Sequence, residues 1–167
     1  MNLLYCGNEA VFDGVLTSAL SIVKRLQKPR PIRLYLHTMS LTRVKSAYTP
    51  ITQKQADFIQ SALQKHNPDT QVFLRDVTAV YEEQLRENPN ENCYCSPYTL
   101  IRLLADRVEG IPDKILYLDI DVMFNRDVQL LYNIDVSDVE YAAARDHYGK
   151  YLINPNYVNA GVMLWNM

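Results

Sequence analysis

Residues 114–125, KILYLDIDVMFN, decide the fold, because an apolar run there carries the chain to two carboxylates, Asp119 and Asp121. A run without alternation is typical of a strand in a parallel sheet that helices cover on both faces. In open α/β sheets, ligands bind outside the carboxyl ends of the strands. The stretch therefore predicts a central strand that ends at a polar binding site.

Three further strands are predicted before this stretch, at NLLYC, PIRLYLHT and TQVFLRDV. Segments with helical spacing of apolar residues separate them. Strands that alternate with helices in this way form crossover units, which build parallel sheets. The sequence thus predicts the α/β class, with a mixed, mainly parallel sheet, helices on both of its faces and Asp-x-Asp at the carboxyl end of a strand.

The helices of these units are predicted from their first residues and their periodicity. Asp13 is available as the cap of a helix over FDGVLTSALSIVKRL, and Thr52 with Gln55 forms a capping box at the start of a second helix. TAVYEEQLRE is interpreted as a third helix. Ser96 as N-cap and Pro97 in the first position predict a fourth, over SPYTLIRLLADRV.

The part of the chain after the central strand is more irregular. DVQLLYNIDVSD indicates a short helix and a turn, YAAARD is an apolar segment, and YVNAGVMLWNM is strand-like and still apolar at Met167. The chain contains no repeat and no Pro/Gly/Ser-rich linker that would mark a domain boundary. We therefore expect residues 1–167 to be one domain, incomplete at its C-terminal end.

The composition excludes some partners. The formal net charge is −2, and no Lys/Arg cluster exceeds two neighbouring residues, so nucleic acid is not an expected partner. No apolar run is long enough to span a membrane, and the start of the chain lacks the pattern of a signal peptide, which predicts a cytoplasmic location. Cys6, Cys93 and Cys95 form no disulfide framework, and we interpret the Cys93/Cys95 pair as ordinary thiols, since two ligands half fill a zinc site.

Asp119 and Asp121 have two interpretations. On an extended strand their side chains point to the same side, and like charges at that range call for a cation. Carboxylate oxygens suit Mg²⁺ or Mn²⁺, which also bind diphosphates. Alternatively, the two aspartates only end the strand and cap the following turn.

Four motifs in order resemble one known family. They are the opening LLYCGNE with its following helix, the helix that carries Tyr98 and Arg102, the Asp-x-Asp strand in DKILYLDIDVMFNRDVQLLYNID, and YVNAGVMLWNM. Together with AAARD, they are similar to glycosyltransferase family 8, which includes glycogenin and bacterial lipopolysaccharide galactosyltransferases. The resemblance implies a Rossmann-like fold of the GT-A type. It implies a retaining hexosyltransferase that uses Mn²⁺ (or Mg²⁺), a UDP-sugar donor such as UDP-glucose or UDP-galactose, and a glycan or lipid-linked saccharide acceptor of the lipopolysaccharide type.

The resemblance also implies roles for individual residues. Asp119 and Asp121 match the metal ligands, and Ile120 lies beside the ribose. Arg102 matches an arginine that pairs with the metal-site aspartate and contacts the donor sugar, and Asp146 matches an acidic residue near sugar and acceptor. These two are the catalytic candidates. The full donor-binding set is Cys6, Gly7, Asn8, Arg102, Ile120, Asn159, Ala160 and Gly161.

Within that set, the first strand's exit corresponds to the uridine pocket, with Asn8 where many members read the uracil with Asp. Val11 replaces the tyrosine that some members stack on the base. The third metal ligand of the family, a histidine, is expected beyond Met167, and His147 is the one histidine of this chain considered in its place. The family also places membrane contact, if any, in the later part, and oligomer formation stays open.

Two other functions remain open at this stage. A haloacid-dehalogenase-type phosphohydrolase also ends a strand in Asp-x-Asp, although its motif continues with Thr or Val where this chain has Met123. A non-catalytic module that binds nucleotide sugars fits the short chain.

Overall fold

The computed structural model describes residues 1–91 and 96–167. Their six strands form one sheet in the order β3-β2-β1-β4-β6-β5. The interpretation of Cys93 and Cys95 concerns residues outside this part and stays a prediction. The strands are β1 (Asn2–Cys6), β2 (Ile32–Thr38), β3 (Thr70–Asp76), β4 (Lys114–Leu118), β5 (Tyr141–Arg145) and β6 (Val158–Asn166).

The sheet is parallel on one side of β4 and antiparallel on the other. Strands β3, β2, β1 and β4 pair in parallel, whereas β6 runs antiparallel to both β4 and β5. The predicted mixed, mainly parallel sheet is therefore confirmed. Because Leu118 pairs with Val162, the antiparallel return brings the start of β6 next to the carboxyl end of β4.

Five α-helices and two 3-10 helices connect the strands in the described residues. They are α1 (Phe12–Val23), α2 (Gln53–Gln64), α3 (Thr78–Gln84), α4 (Gln129–Tyr132), α5 (Gly149–Leu152) and the 3-10 helices Glu9–Val11 and Pro97–Arg107.

The helix starts differ in how well the sequence predicted them. The capping box of Thr52 and Gln55 is present in full, and Ser96 Oγ accepts a hydrogen bond from the backbone of the following turn. The prediction of Asp13 as a cap is wrong, because the 3-10 turn Glu9–Val11 leads directly into α1. Asp13 lies inside the first turn instead, where its charge suits the helix dipole.

The segment after Ser96 folds as a 3-10 helix rather than the expected α-helix. Its buried residues Tyr98, Ile101 and Leu104 recur every three positions, which is the period of a 3-10 helix. This spacing aligns the three buried side chains in one apolar row along the 3-10 helix. The half-buried Arg102 lies just outside that row.

Helices cover both faces of the sheet, as predicted. Leu3 and Tyr5 of β1 belong to a core with the apolar faces of α1 and α2, whereas Leu4 packs on the opposite face with Ala105 of the long 3-10 helix. This alternation along one strand follows from its pleat. In the described part of the chain, no helix has both the length and the apolar character needed to cross a membrane.

Candidate functional site

The two aspartates lie in a turn at the end of β4. Strand β4 ends at Leu118, and the amide of Val122 donates to the carbonyl of Asp119 at 3.3 Å, which closes a turn over residues 119–122. The expectation that an extended strand holds both side chains on one side is therefore wrong. The last bond of the sheet there runs from Asp119 N to Gly161 O at 2.7 Å.

A cavity of about 220 Å³ nevertheless has both aspartates in its wall. It lies between the exit of β1, the start of the long 3-10 helix and the turn after β4, so it occupies the carboxyl edge of the parallel strands. Its lining residues are Cys6, Gly7, Asn8, Val11, Ser96, Tyr98, Thr99, Tyr117, Asp119, Ile120 and Asp121. Six of the predicted site residues thus share one cavity.

The wall formed by the β1 exit is tightly packed. A Cβ built on Gly7 would stand 2.3 Å from Val11 Cγ2, so only glycine fits beside that valine. Asn8 is buried beside Tyr98, whose hydroxyl donates to the carbonyl of Met39 at 3.0 Å. Burial raises the pKa of Tyr98 to about 12, an effect that the neighbouring Asn8 side chain opposes. Burial also raises the pKa of the Cys6 thiol, which therefore stays protonated.

Asp119 is held on one side by two polar groups. Its Oδ1 accepts a hydrogen bond from the Tyr117 hydroxyl at 2.5 Å and lies 3.8 Å from Arg102 Nη1. Burial raises the pKa of Tyr117, so its hydroxyl keeps the proton that it donates. The Asp119 side chain is 40% exposed, whereas Asp121 is exposed to solvent.

Arg102 joins this aspartate to strand β6. Its Nη1 donates to the carbonyl of Ala160 at 3.0 Å, and its guanidinium lies 5.3 Å from the centre of the Tyr117 ring. A guanidinium keeps its charge at any physiological pH and can face two acceptors at once. The structure thus brings together three residues that the sequence predicted separately: Arg102, Asp119 and Ala160.

The Asn159-Ala160-Gly161 segment forms the next part of the site. Asn159 Oδ1 accepts from the amide of Gly161 at 2.9 Å, and Asn159 Nδ2 donates to Asp146 Oδ2 at 3.3 Å. A Cβ on Gly161 would stand 2.8 Å from Asp119 Oδ2. The segment therefore bridges Asp146 and Asp119, and glycine gives the carboxylate its space.

The other carboxylate oxygen of Asp146 accepts two further hydrogen bonds. Asp146 Oδ1 accepts from the amides of Tyr148 at 3.0 Å and Gly149 at 2.6 Å, which starts the short helix α5. The bond from Gly149, followed by the bond from Asn159, lowers the pKa of Asp146. The half-buried carboxylate is therefore ionised at neutral pH and is oriented from two sides.

The chemistry of the two aspartates fits a hard divalent cation. Within residues 1–91 and 96–167 no group of three or more His, Cys, Asp or Glu side chains is placed to hold a metal. An ion of the Mg²⁺ type, however, typically takes one or two carboxylates and completes its shell with waters and substrate phosphates. The adjoining cavity leaves room for those. His147 packs against the rings of Tyr148 and Tyr151, and its role as a stand-in ligand stays a prediction.

Some residues of the cavity wall were not predicted as site residues. Ser96 and Thr99 line it, and Tyr117 both lines it and contacts Asp119. The position of Tyr117 two residues before Asp119 was a usable signal, because residues two apart on a strand share a face. For Thr99 the sequence carried no such signal, since its place depends on where the long 3-10 helix crosses the sheet.

Comparisons with known proteins agree with this geometry. The chain is 27% identical to a putative glycosyltransferase of Haemophilus influenzae over 178 aligned positions, which cover 100% of this chain and 48% of that protein. A segment of 79 positions is 37% identical to the glycosyltransferase GlyA of Streptococcus pneumoniae, covering 45% of this chain and 11% of that protein. The chain thus spans about half the length of the first relative, and its match to the second covers 11% of that protein.

Solved structures share the fold. An active-site mutant of LgtC superposes with a TM-score of 0.76 at 20% identity, covering 99% of this chain and 57% of LgtC. The glycosyltransferase GlyE of Streptococcus pneumoniae superposes with a TM-score of 0.63 at 23% identity, over 99% of this chain and 33% of GlyE. The predicted GT-A type of fold is confirmed by these similarities.

The family comparison covers nearly every residue. The model of glycosyl transferase family 8 matches residues 2–167, a range that includes the aspartate turn, the long 3-10 helix and strand β6. The resemblance first noted in the four motifs therefore extends along the whole chain. The chain belongs to glycosyl transferase family 8.

Proposed function

We propose that this chain is the donor-binding part of a metal-dependent, retaining glycosyltransferase that moves a hexose from UDP-glucose or UDP-galactose to a glycan or lipopolysaccharide-type acceptor. One observation carries the proposal: Asp119, Arg102 and Ala160 meet directly beside the cavity at the carboxyl edge of the sheet. Family membership favours this function over a phosphohydrolase. A structure of LgtC in complex with donor and acceptor sugar analogs supports the two substrate classes.

In this proposal each part of the cavity wall contacts one part of the donor. Asn8, with the backbone of Cys6 and Gly7, faces the uracil, and Ile120 lies along the ribose. The buried Asn8 lines the cavity and so keeps one polar side chain at the base. Uracil recognition then depends on the Asn8 amide together with neighbouring backbone groups.

Asp119 and Asp121 would hold Mn²⁺ or Mg²⁺, which supplies charge stabilisation at the diphosphate when bound. Arg102 acts beside them, because its guanidinium lies within 3.8 Å of Asp119 and is fixed by the Ala160 carbonyl. It offers the remaining N–H groups to a diphosphate or sugar oxygen. The developing negative charge of the leaving group is thus met by a preorganised cation.

Asp146 and Asn159 would position the hexose. Asp146 is ionised and accepts the Asn159 amide, so together they present a carboxylate and an amide to sugar hydroxyl groups. In the transfer, the bond from the anomeric carbon to the diphosphate oxygen breaks. A bond to the acceptor oxygen forms with retention, UDP leaves, and the proton of the acceptor hydroxyl passes to UDP or to water. Location in the cytoplasm stays a prediction.

Calorimetric titration with UDP, with and without Mn²⁺, tests the proposal in the protein expressed at its full natural length. We expect tighter binding with Mn²⁺ and loss of this difference in the double variant Asp119→Ala, Asp121→Ala. Metal-independent UDP binding in the wild type would contradict the site assignment. A protein that binds UDP with Mn²⁺ but neither hydrolyses nor transfers any hexose would instead be a non-catalytic binding module.

A further inference from the structure

We propose that Tyr117 is a positioning residue that fixes how Asp119 binds a divalent cation, through the hydrogen bond from its hydroxyl to Asp119 Oδ1. This inference rests on the proposed function of the site. The bond is 2.5 Å long. It joins the second-to-last residue of β4 to the first residue beyond the strand. A carboxylate that accepts such a bond has one oxygen already engaged.

The Tyr117 ring is itself held rigidly. It is 2% exposed, and the indole of Trp165 on β6 stacks on it with ring centres 5.4 Å apart and an angle of 13° between the planes. The Arg102 guanidinium lies 5.3 Å from the same ring. Aromatic stacking and a cation near a ring each favour one fixed orientation. The hydroxyl therefore reaches Asp119 from a support that does not rotate.

The two oxygens of Asp119 have different surroundings as a result. Oδ1 lies between the Tyr117 hydroxyl and the Arg102 guanidinium. Oδ2 lies beside Gly161, and it accepts no hydrogen bond from any residue in the described ranges 1–91 and 96–167. Oδ2 is thus the oxygen left for a cation, so the arrangement favours binding through a single oxygen.

Binding through one oxygen has a consequence for metal choice. Small ions of the Mg²⁺ type need a near-octahedral shell, to which each carboxylate gives one oxygen, and octahedral oxygen shells also suit Mn²⁺. Ca²⁺ accepts more ligands and readily takes both oxygens of one carboxylate. By engaging Oδ1, Tyr117 would disfavour the two-oxygen mode and so favour Mn²⁺ or Mg²⁺ over Ca²⁺.

The test compares Tyr117→Phe with wild type in the protein at its full natural length. Mn²⁺ and Ca²⁺ are titrated separately in the presence of saturating UDP, with free Mn²⁺ followed by electron paramagnetic resonance and Ca²⁺ by calorimetry. We expect Mn²⁺ affinity to fall about 10- to 100-fold, as for other groups that orient a metal ligand, and Ca²⁺ affinity to fall less. The ratio of the two affinities is the readout that a loss of packing alone would not change.

Tyr132→Phe is the matched control. In the wild type, the hydroxyl of Tyr132 on α4 donates to the carbonyl of Lys114 at 3.0 Å. Lys114 is at the opposite end of β4 from Asp119. We expect that variant to keep the wild-type ratio. If Tyr117→Phe does not fold, 3-fluorotyrosine at position 117 takes its place, because it changes the acidity of the hydroxyl that bonds Asp119 and keeps the ring.

The outcomes separate this inference from the proposed function. An unchanged ratio of Mn²⁺ to Ca²⁺ affinity in Tyr117→Phe, or in the fluorotyrosine protein if that is needed, overturns the role of Tyr117 alone. A wild-type protein whose UDP binding is independent of metal overturns both the proposed function and this inference. A lower ratio in the variant, with the control unchanged, supports the positioning role.

Discussion

Gly161 lies so close to the Asp119 carboxylate that a Cβ built on the glycine would stand 2.8 Å from Asp119 Oδ2. The same two residues are joined through the backbone, where Asp119 N donates to Gly161 O at 2.7 Å. Strand β6 therefore fixes both the main chain and the side-chain space of Asp119. The position of Asp119 is a property of two strands and not of the Asp-x-Asp sequence alone.

Gly161→Ala is expected to displace the carboxylate without unfolding the protein. The added methyl group meets Asp119 Oδ2, a side-chain oxygen and not the backbone, so the free energy of unfolding should change by less than about 1 kcal/mol. The shifted Asp119 should weaken Mn²⁺-dependent binding of UDP about tenfold, the lower range for a disturbed ligand shell. Calorimetry with and without Mn²⁺ and a thermal unfolding curve measure the two effects.

Gly110→Ala provides the opposite control. Gly110 has a φ of 79°, and no atom lies within 4 Å of a Cβ built there. An alanine in this left-handed conformation should cost roughly 1 kcal/mol of stability and leave UDP binding unchanged. Equal binding by Gly161→Ala and wild type would contradict the prediction.

Arg102→Lys is expected to reduce transfer although it keeps the positive charge. A lysine ammonium cannot bond the Ala160 carbonyl at 3.0 Å and face Asp119 at 3.8 Å with the same planar geometry. We expect kcat for sugar transfer to fall about 100-fold, the loss typical of one preorganised donor to a developing charge. Steady-state kinetics with varied donor concentration measure it.

Arg107→Lys in the same 3-10 helix is the control, since the Arg107 side chain is 61% exposed and, among the residues that the structure describes, forms an ion pair only with its neighbour Asp106. Its kcat should equal that of the wild type. If Arg102→Lys retained full kcat as well, Arg102 would have only the structural role of joining the long 3-10 helix to β6.

The order of strands and helices was predictable, whereas the detailed geometry of the site was not. Periodicity and capping residues act locally, so the capping box of Thr52 and the apolar run before Asp119 indicated their elements correctly. Where a strand stops depends on its surroundings, and the chain turns away from β6 after Asp119 although β6 itself extends to Val158. The turn after Leu118 was missed for that reason.

The contact between Asp146 and Asn159 shows the same limit. Their side chains meet because β5 pairs antiparallel with β6 and the register shifts between Ala143 and Arg145. Such a bulge re-aims the chain and depends on the partner strand. The sequence could identify both residues as site candidates only through the family resemblance, and their contact needed the sheet.

Asp146→Asn is expected to slow transfer with little effect on UDP binding. An amide at position 146 can still accept the bonds from Tyr148 and Gly149, but it places a donor or a weaker acceptor against the Asn159 amide. Because its pKa is already lowered, Asp146 should be ionised throughout the neutral range, and the wild-type rate should show no step from it above about pH 5. A drop in kcat of about tenfold or more is expected.

Asp135→Asn tests whether this loss is specific. Asp135 is an exposed aspartate whose carboxylate also accepts hydrogen bonds from a residue just after it in the chain. The donors are the backbone amide of Ser137 at 3.0 Å and its hydroxyl at 2.8 Å. Asp135 lies between α4 and β5 and is not among the predicted site residues. The kcat of the Asp135→Asn variant should therefore equal that of the wild type. The catalytic role of Asp146 is refuted if both variants transfer sugar at the wild-type rate.

We expect His37 to make the free energy of unfolding depend on pH. This residue belongs to the buried interior and not to the candidate site. It is fully buried at the end of β2, and neither ring nitrogen has a hydrogen-bond partner among residues 1–91 and 96–167. Burial, and secondly the charge of Arg75, lowers the pKa of His37 from 6.5 to about 4. The folded protein therefore keeps a neutral imidazole at a pH where the unfolded chain binds a proton.

The sign of the effect follows from that difference. Where the unfolded state binds more protons, the free energy of unfolding falls as the pH falls, so stability is complete above pH 6.5 and declines toward pH 4. The full decline from this one group is about 3 kcal/mol. In urea denaturation at pH 7.5 and pH 5, His37→Leu should lose markedly less stability between the two values than the wild type. His66→Gln, at an exposed histidine, should retain the wild-type difference. Identical pH dependence in His37→Leu and wild type would show that His37 is not the group responsible.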